Sequence, residues 1–350
     1  DVHGNFRYNV GARYIQTDQF LSGYINANTP QGAQRQYLDD TADYDKVLPS
    51  LNIAADLIDN LVLRVAASRT MTRAQPGDLA PNQSLSVNGD VLSIGNSALE
   101  PYFADNYDLG LEWYFGDSGL GVLAVNVWRK EIEGYTTIVS TPTPFGQLNL
   151  DYSTLPIATQ TGLQSIANAQ CQCVGNPNDA LVRVDQRQNT DELITLDGWE
   201  ATYVQPLDFL LNGAGISANY THIKQKSEGG LPGAPSSAIV GLSPYTYNLT
   251  AFYEDFGFSG RLVWSVRDTF IEFLGNNENN IPGDNYAQKR SFLDASFSYK
   301  LPIEANISVS LEMQNLTNEQ LLTYFRDDPL TPRASFAPGR QFLIGLMGSF

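Results

Sequence analysis

Gly339-Arg340-Gln341-Phe342-Leu343-Ile344-Gly345-Leu346-Met347-Gly348-Ser349-Phe350 ends the chain on an aromatic residue. From Phe342 every second residue (Phe342, Ile344, Leu346, Gly348, Phe350) falls on one face, and Gln341, Gly345 and Ser349 are among those on the other. Period-two alternation marks a pleated strand whose two faces meet different surroundings. Here the first face suits lipid.

The same alternation recurs along the chain. Tyr107, Leu109, Leu111, Trp113 and Phe115 alternate with Asn106, Asp108, Gly110 and Glu112. Leu293, Ala295, Phe297 and Tyr299 alternate with Asp294, Ser296, Ser298 and Lys300. Ile307, Val309, Leu311 and Met313 alternate with Asn306, Ser308, Ser310, Glu312 and Gln314. A sandwich core has no room for such unpaired charges, whereas a barrel with a lipid-facing exterior and a polar lumen accommodates them. The pattern predicts about twelve antiparallel strands, at 4–16, 44–58, 61–73, 104–116, 119–133, 191–205, 213–226, 245–255, 257–271, 287–300, 305–317 and 337–350. Short connections (Asp59-Asn60, Asp117-Ser118, Pro206–Asn212, Asp255-Phe256-Gly257, Leu301–Glu304) alternate with long ones (17–43, 74–103, 134–190, 227–244, 272–286, 318–336). Short periplasmic turns and long extracellular loops are a transmembrane barrel signature. Within the long loops, 158–170 is the best candidate for a short helix.

Composition narrows the function. The 350 residues contain no apolar run long enough for a membrane-spanning helix. A formal charge of −17 disfavours nucleic acid, because phosphate binding needs clustered Lys and Arg. Cys171 and Cys173 are the only cysteines. They allow either a local disulfide or free thiols, and one pair without a nearby His makes no zinc site. The only histidines are His3 and His222. His222 shares the lipid-facing phase with Tyr220, which suits an interfacial ring better than a general base, so no catalytic residue, metal site or cofactor is expected. Asp39, Asp40, Asp43 and Asp45 fit a solvated loop better than a calcium site. The first residues show no signal peptide, which predicts a processed chain or a fragment.

Several segments, taken in order, resemble the TonB-dependent outer-membrane receptors of proteobacteria. They include Gly4-Asn5-Phe6-Arg7-Tyr8-Asn9-Val10-Gly11-Ala12-Arg13-Tyr14, Leu48-Pro49-Ser50-Leu51-Asn52, and Arg64 through Arg73. Gly95-Asn96-Ser97-Ala98-Leu99-Glu100-Pro101-Tyr102, Gly198-Trp199-Glu200, Asn315-Leu316-Thr317-Asn318-Glu319 and Pro338-Gly339-Arg340-Gln341-Phe342 complete the set. The resemblance implies a bacterial outer-membrane protein, with residues 1–350 forming the C-terminal part of a 22-stranded plugged barrel. It further implies import of a scarce saccharide or metal chelate, driven through an absent plug by the TonB-ExbB-ExbD complex. The alternative is a self-contained twelve-stranded barrel serving as a passive pore, enzyme or translocator.

The alternation and the resemblance together suggest roles for particular residues. Phe342 and Phe350 become the signal read by the barrel-assembly machinery. Asn96, Tyr102, Asn276, Asn277, Tyr324 and Arg326 are the loop candidates for a small-molecule substrate. Outer-membrane lipid and lipopolysaccharide would surround the wall. Arg7, Arg13, Arg64, Arg261 and Arg267 are expected in the lumen beside Asp108, Glu112, Glu200, Asp294 and Glu312, more as cross-strand ion pairs than as a plug-docking ladder. Trp113, Phe115, Tyr253, Phe297 and Tyr299 would form one aromatic girdle, and Tyr14, Tyr220 and Phe270 the other.

Overall fold

In the computed structural model, residues 5–29, 32–116, 121–230, 237–275, 283–303 and 306–348 are described. The wall strands are β1 (Phe6–Thr29), β2 (Gly32–Ile58), β3 (Leu61–Thr72), β4 (Tyr102–Phe115), β5 (Gly121–Glu133) and β6 (Leu193–Pro206). They continue as β7 (Ala214–Glu228), β8 (Tyr245–Asp255), β9 (Phe258–Arg267), β10 (Arg290–Lys300), β11 (Ile307–Gln314) and β12 (Gln341–Gly348). All twelve form one sheet in sequence order, with every neighbour antiparallel. The fold is the antiparallel barrel wall that the alternation predicts. Among the described residues β1 and β12 do not pair, so the sheet carries a free edge on each side.

Register confirms the assignment of faces. On β12 Phe342, Ile344, Leu346 and Gly348 stand opposite Met313, Leu311, Val309 and Ile307 of β11. One outer row runs through Leu61, Trp113, Leu123, Tyr203, Ala218, Leu249, Trp264 and Leu293 on neighbouring strands. Of these side chains Trp113, Leu123, Leu249 and Trp264 remain exposed in the protein alone. A hydrocarbon environment removes that penalty.

Tight corners hold the short-turn end. Between β8 and β9, Asp255 pairs with Phe258, leaving Phe256 (φ 50°) and Gly257 (φ 75°) as a two-residue turn. Positive φ at both central residues matches the twist of the flanking strands. The Phe256 amide donates to Asp255 Oδ1 at 2.7 Å, which steadies the unusual non-glycine position. Asp117-Ser118 and Glu304 lie outside the described residues.

The long connections differ from the expected loops. β1 and β2 pair without interruption from Phe6↔Ala55 to Thr29↔Gly32, so most of 17–43 is a projecting hairpin rather than a loop. Beyond the bilayer both strand faces meet water, and hydrophobic alternation no longer reports pairing. Residues 74–101 and 134–192 jointly build a four-stranded sheet, ordered Gln83–Leu85, Val91–Ile94, Leu181–Asn189, Thr136–Pro144. Its Val91–Ile94 and Leu181–Asn189 strands run parallel. A helix, Ile157–Cys171, packs on it around buried Leu92, Phe145, Leu163, Ala180 and Val182. Gln172, in the left-handed region, caps that helix and lies between Cys171 and Cys173, which form a disulfide. A second small sheet joins Phe270–Phe273, Asn285–Ala287, Leu321–Phe325 and Asp328–Phe336. Phe270 is therefore part of this loop sheet, not of the wall, because β9 stops at Arg267.

Candidate functional site: the inner wall and extracellular loops

A single inner row crosses ten strands. It runs Arg7, Ala54, Arg64, Gly110, Asn126, Glu200, Thr221, Thr246, Arg267, Arg290, each opposite the next in register. The neighbouring outer row is Tyr8, Ile53, Val65, Leu109, Val127, Trp199, His222 and Tyr245. One residue of chain thus separates a polar passage from a lipid-facing surface.

Three ion pairs join inner charges across strands. Arg64 grips Glu112 through Nε–Oε1 at 2.7 Å and Nη2–Oε2 at 3.0 Å, and the Tyr114 hydroxyl donates to the same carboxylate at 2.9 Å. Arg7 bonds Asp56 at 2.7 Å and Arg261 bonds Glu254 at 3.1 Å. Only the Arg64–Glu112 pair joins two members of the expected set. Asp294 instead accepts the Asn315 amide at 2.7 Å. Arg13, Asp108, Glu200 and Glu312 enter no ion pair among the described residues. Sequence reasoning did not name Asp56 and Glu254 as partners, because alternation assigns a residue to a face but not to a neighbour on the next strand.

The outer face carries rings near both rims. Trp113–Phe115 (5.0 Å), Phe115–Tyr203 (6.1 Å) and Phe258–Phe297 (6.1 Å) lie toward the short turns. Trp199–Tyr220 (4.9 Å), Tyr220–Tyr245 (6.4 Å) and Tyr247–Trp264 (5.5 Å) lie toward the loops. His222 joins this second band, 6.4 Å from Trp199. Rings with apolar bodies and polar edges suit the bilayer interface. Above the second band Arg129 and Asp197 pair at 2.7 Å.

The loop candidates are dispersed. Asn96 donates to the Arg187 carbonyl (2.9 Å) and accepts from the Ala98 amide (3.1 Å), inside the first loop assembly. Tyr102 packs edge-on to Tyr135 at 5.4 Å. Tyr324 is buried and stacks on Tyr286 at 5.8 Å in the second small sheet. Arg326, in a left-handed turn beside it, lies 5.3 Å from the ring of Phe325. Asn276, Asn277, Phe350 and His3 lie outside the described residues. Asp40 is engaged by Ser97 and by the Thr41 amide, and no cluster of three metal-ligating side chains occurs among the described residues.

A twelve-stranded wall, apolar outside and charged inside, with folded loop assemblies at one end, is the construction of a transmembrane β-barrel of the Gram-negative outer membrane. The family model described as TonB dependent receptor-like, beta-barrel, matches residues 1–316, and the chain belongs to that family. No curated protein matches the chain. Among solved structures it is similar to a variant of the ferric enterobactin receptor from Pseudomonas aeruginosa in complex with enterobactin, with 17% identity and TM-score 0.60 over 96% of this chain and 46% of that one. The ferric-catecholate import receptor Fiu from E. coli K12 gives 13% identity and TM-score 0.62 over 98% and 42%. The ferric citrate transporter FecA gives 12% identity and TM-score 0.60 over 99% and 43%. The chain spans about half the length of the structures it matches, and at these identities the likeness shows the fold.

Proposed function

We propose that residues 1–350 are the C-terminal wall of a 22-stranded outer-membrane importer, which takes up a scarce solute with energy relayed from TonB-ExbB-ExbD through a plug. The observation that carries this reading is the pair of free sheet edges on β1 and β12. Inside a bilayer, unpaired backbone N–H and C=O groups are prohibitive, so only closed sheets persist. Further strands joining β1 to β12 would satisfy both edges. Family membership supports transport rather than catalysis, and the names of the similar structures favour a metal chelate over a saccharide.

The other reading is a twelve-stranded pore closed between β1 and β12. A cysteine scan separates them. Cysteines introduced at alternate inner positions of β1 and β12, in the protein as it stands in the membrane, form no intramolecular crosslink if further strands intervene. An efficient β1–β12 crosslink would establish the closed pore and remove the importer reading.

A further inference from the structure

Arg267 and Arg290 end the inner row, directly opposite one another on β9 and β10. Both address the ring of Phe270, at 3.7 Å and 5.2 Å from its centroid. Arg267 spends its donors on neutral acceptors, Ser243 Oγ at 2.8 Å and the Gly241 carbonyl. Neither arginine forms an ion pair among the described residues, whereas Arg7, Arg64 and Arg261 on the same face each hold a carboxylate at 2.7, 2.7 and 3.1 Å. Arg290 Nε is buried and has no hydrogen-bond partner.

Three costs therefore coincide. Like charges directly opposite destabilise a sheet, a buried unpartnered donor is rare, and in a chain of net charge −17 two cations have no counter-ion among the described residues. A ring shared by two guanidinium groups attracts both through its π-system but cancels no charge. A bidentate oxyanion removes all three costs, since the planar fork of Arg matches carboxylate and phosphate geometry.

The geometry points to an oxyanion site at the extracellular end of the inner wall, in which Arg267 and Arg290 clasp the carboxylate- or phosphate-bearing end of the transported solute against Phe270. This rests on the importer reading and sharpens it. The solute carries a carboxylate or phosphate, as a carboxylate-type chelate or an acidic or phosphorylated saccharide does, and is not a neutral sugar.

The test uses the full-length receptor in detergent at constant ionic strength, titrated with ferric citrate, an oligogalacturonate, glucose 6-phosphate and maltohexaose. At least one anionic probe saturates the protein, and maltohexaose does not. R267Q and R290Q each weaken that binding ten-fold or more, R290K weakens it less than R290Q, and K226Q on the outer face leaves it unchanged. Heat-modifiable gel mobility confirms that each variant is folded. Should a variant fail to fold, salt dependence of wild-type binding replaces it, with affinity falling as sulfate competes. Saturation by no anionic probe, equal binding of maltohexaose, or affinity indifferent to both arginines and to sulfate overturns the site. Anion binding that persists in a receptor without TonB-dependent uptake overturns the importer reading and leaves the site intact.

Discussion

A Cβ on Gly198 of β6 would stand 2.3 Å from the indole ring of Trp128, its register partner on β5. The indole therefore lies flat over a position that only glycine leaves open. Substituting Gly198→Ala forces the ring off its seat, and overpacking of this kind typically costs about 1–3 kcal/mol. We expect a lower unfolding midpoint for G198A in urea, with most of the loss recovered in W128A/G198A. Equal stability of G198A and the parent would show that the ring moves aside freely.

Val125 and Asn126 are adjacent on β5 but occupy opposite faces, the first opposite Leu111 and the second opposite Gly110 of β4. Val125→Lys places a charge toward lipid, at a cost of roughly 2–4 kcal/mol near the bilayer midplane. Asn126→Lys adds the same charge to the polar passage and should cost far less. The fraction of folded, protease-resistant protein recovered in outer membranes reads the difference. If both variants assemble equally well, the faces are wrongly assigned.

Arg64 and Glu112 form the best-defined ion pair of the passage. The Arg64 side chain is 52% exposed, so solvent screens the pair and its coupling should be only about 0.5–1 kcal/mol. A double-mutant cycle with R64Q and E112Q is expected to return that value and to shrink in high salt. A coupling near zero would assign the pair to packing alone.

In the first loop assembly Asp151 accepts from the Ser153 hydroxyl (2.7 Å) and amide (2.9 Å). These bonds, the hydroxyl first, hold its carboxyl below the usual range. A group depressed on folding stabilises the fold above its unfolded pKa, and that contribution is lost as pH falls through the folded value. Amide protection factors in 151–155, exchange rates divided into the intrinsic rate at each pH, should thus fall below about pH 4, the ordinary Asp value, and D151N should remove the acid-dependent step. An unchanged acid profile in D151N would place the transition elsewhere.

Where the bilayer imposes two environments, the sequence is a good guide. Phe342, Ile344 and Leu346 read correctly because lipid selects one side of β12, and the register with Met313, Leu311 and Val309 follows. Beyond the membrane that selection ends. Asp18 faces Asp43 in the β1–β2 hairpin, a pairing that no alternation rule anticipates. The loop sheets escape notice for another reason: Val91–Ile94 and Leu181–Asn189 are distant in sequence and become neighbours only through a shared core. Arg290 carried no signal of its own. Its interest lies in facing Arg267, a relation visible only once β9 and β10 are in register.

Energy-coupled import is measured directly by solute depletion from spent medium. Cells carrying the receptor, cells lacking it, and cells carrying it without TonB are compared by untargeted mass spectrometry. At least one solute, bearing a carboxylate or phosphate, is expected to be removed by the first culture and by neither of the others. A solute whose removal needs the receptor but continues undiminished without TonB would contradict energy-coupled import and identify a passive pore.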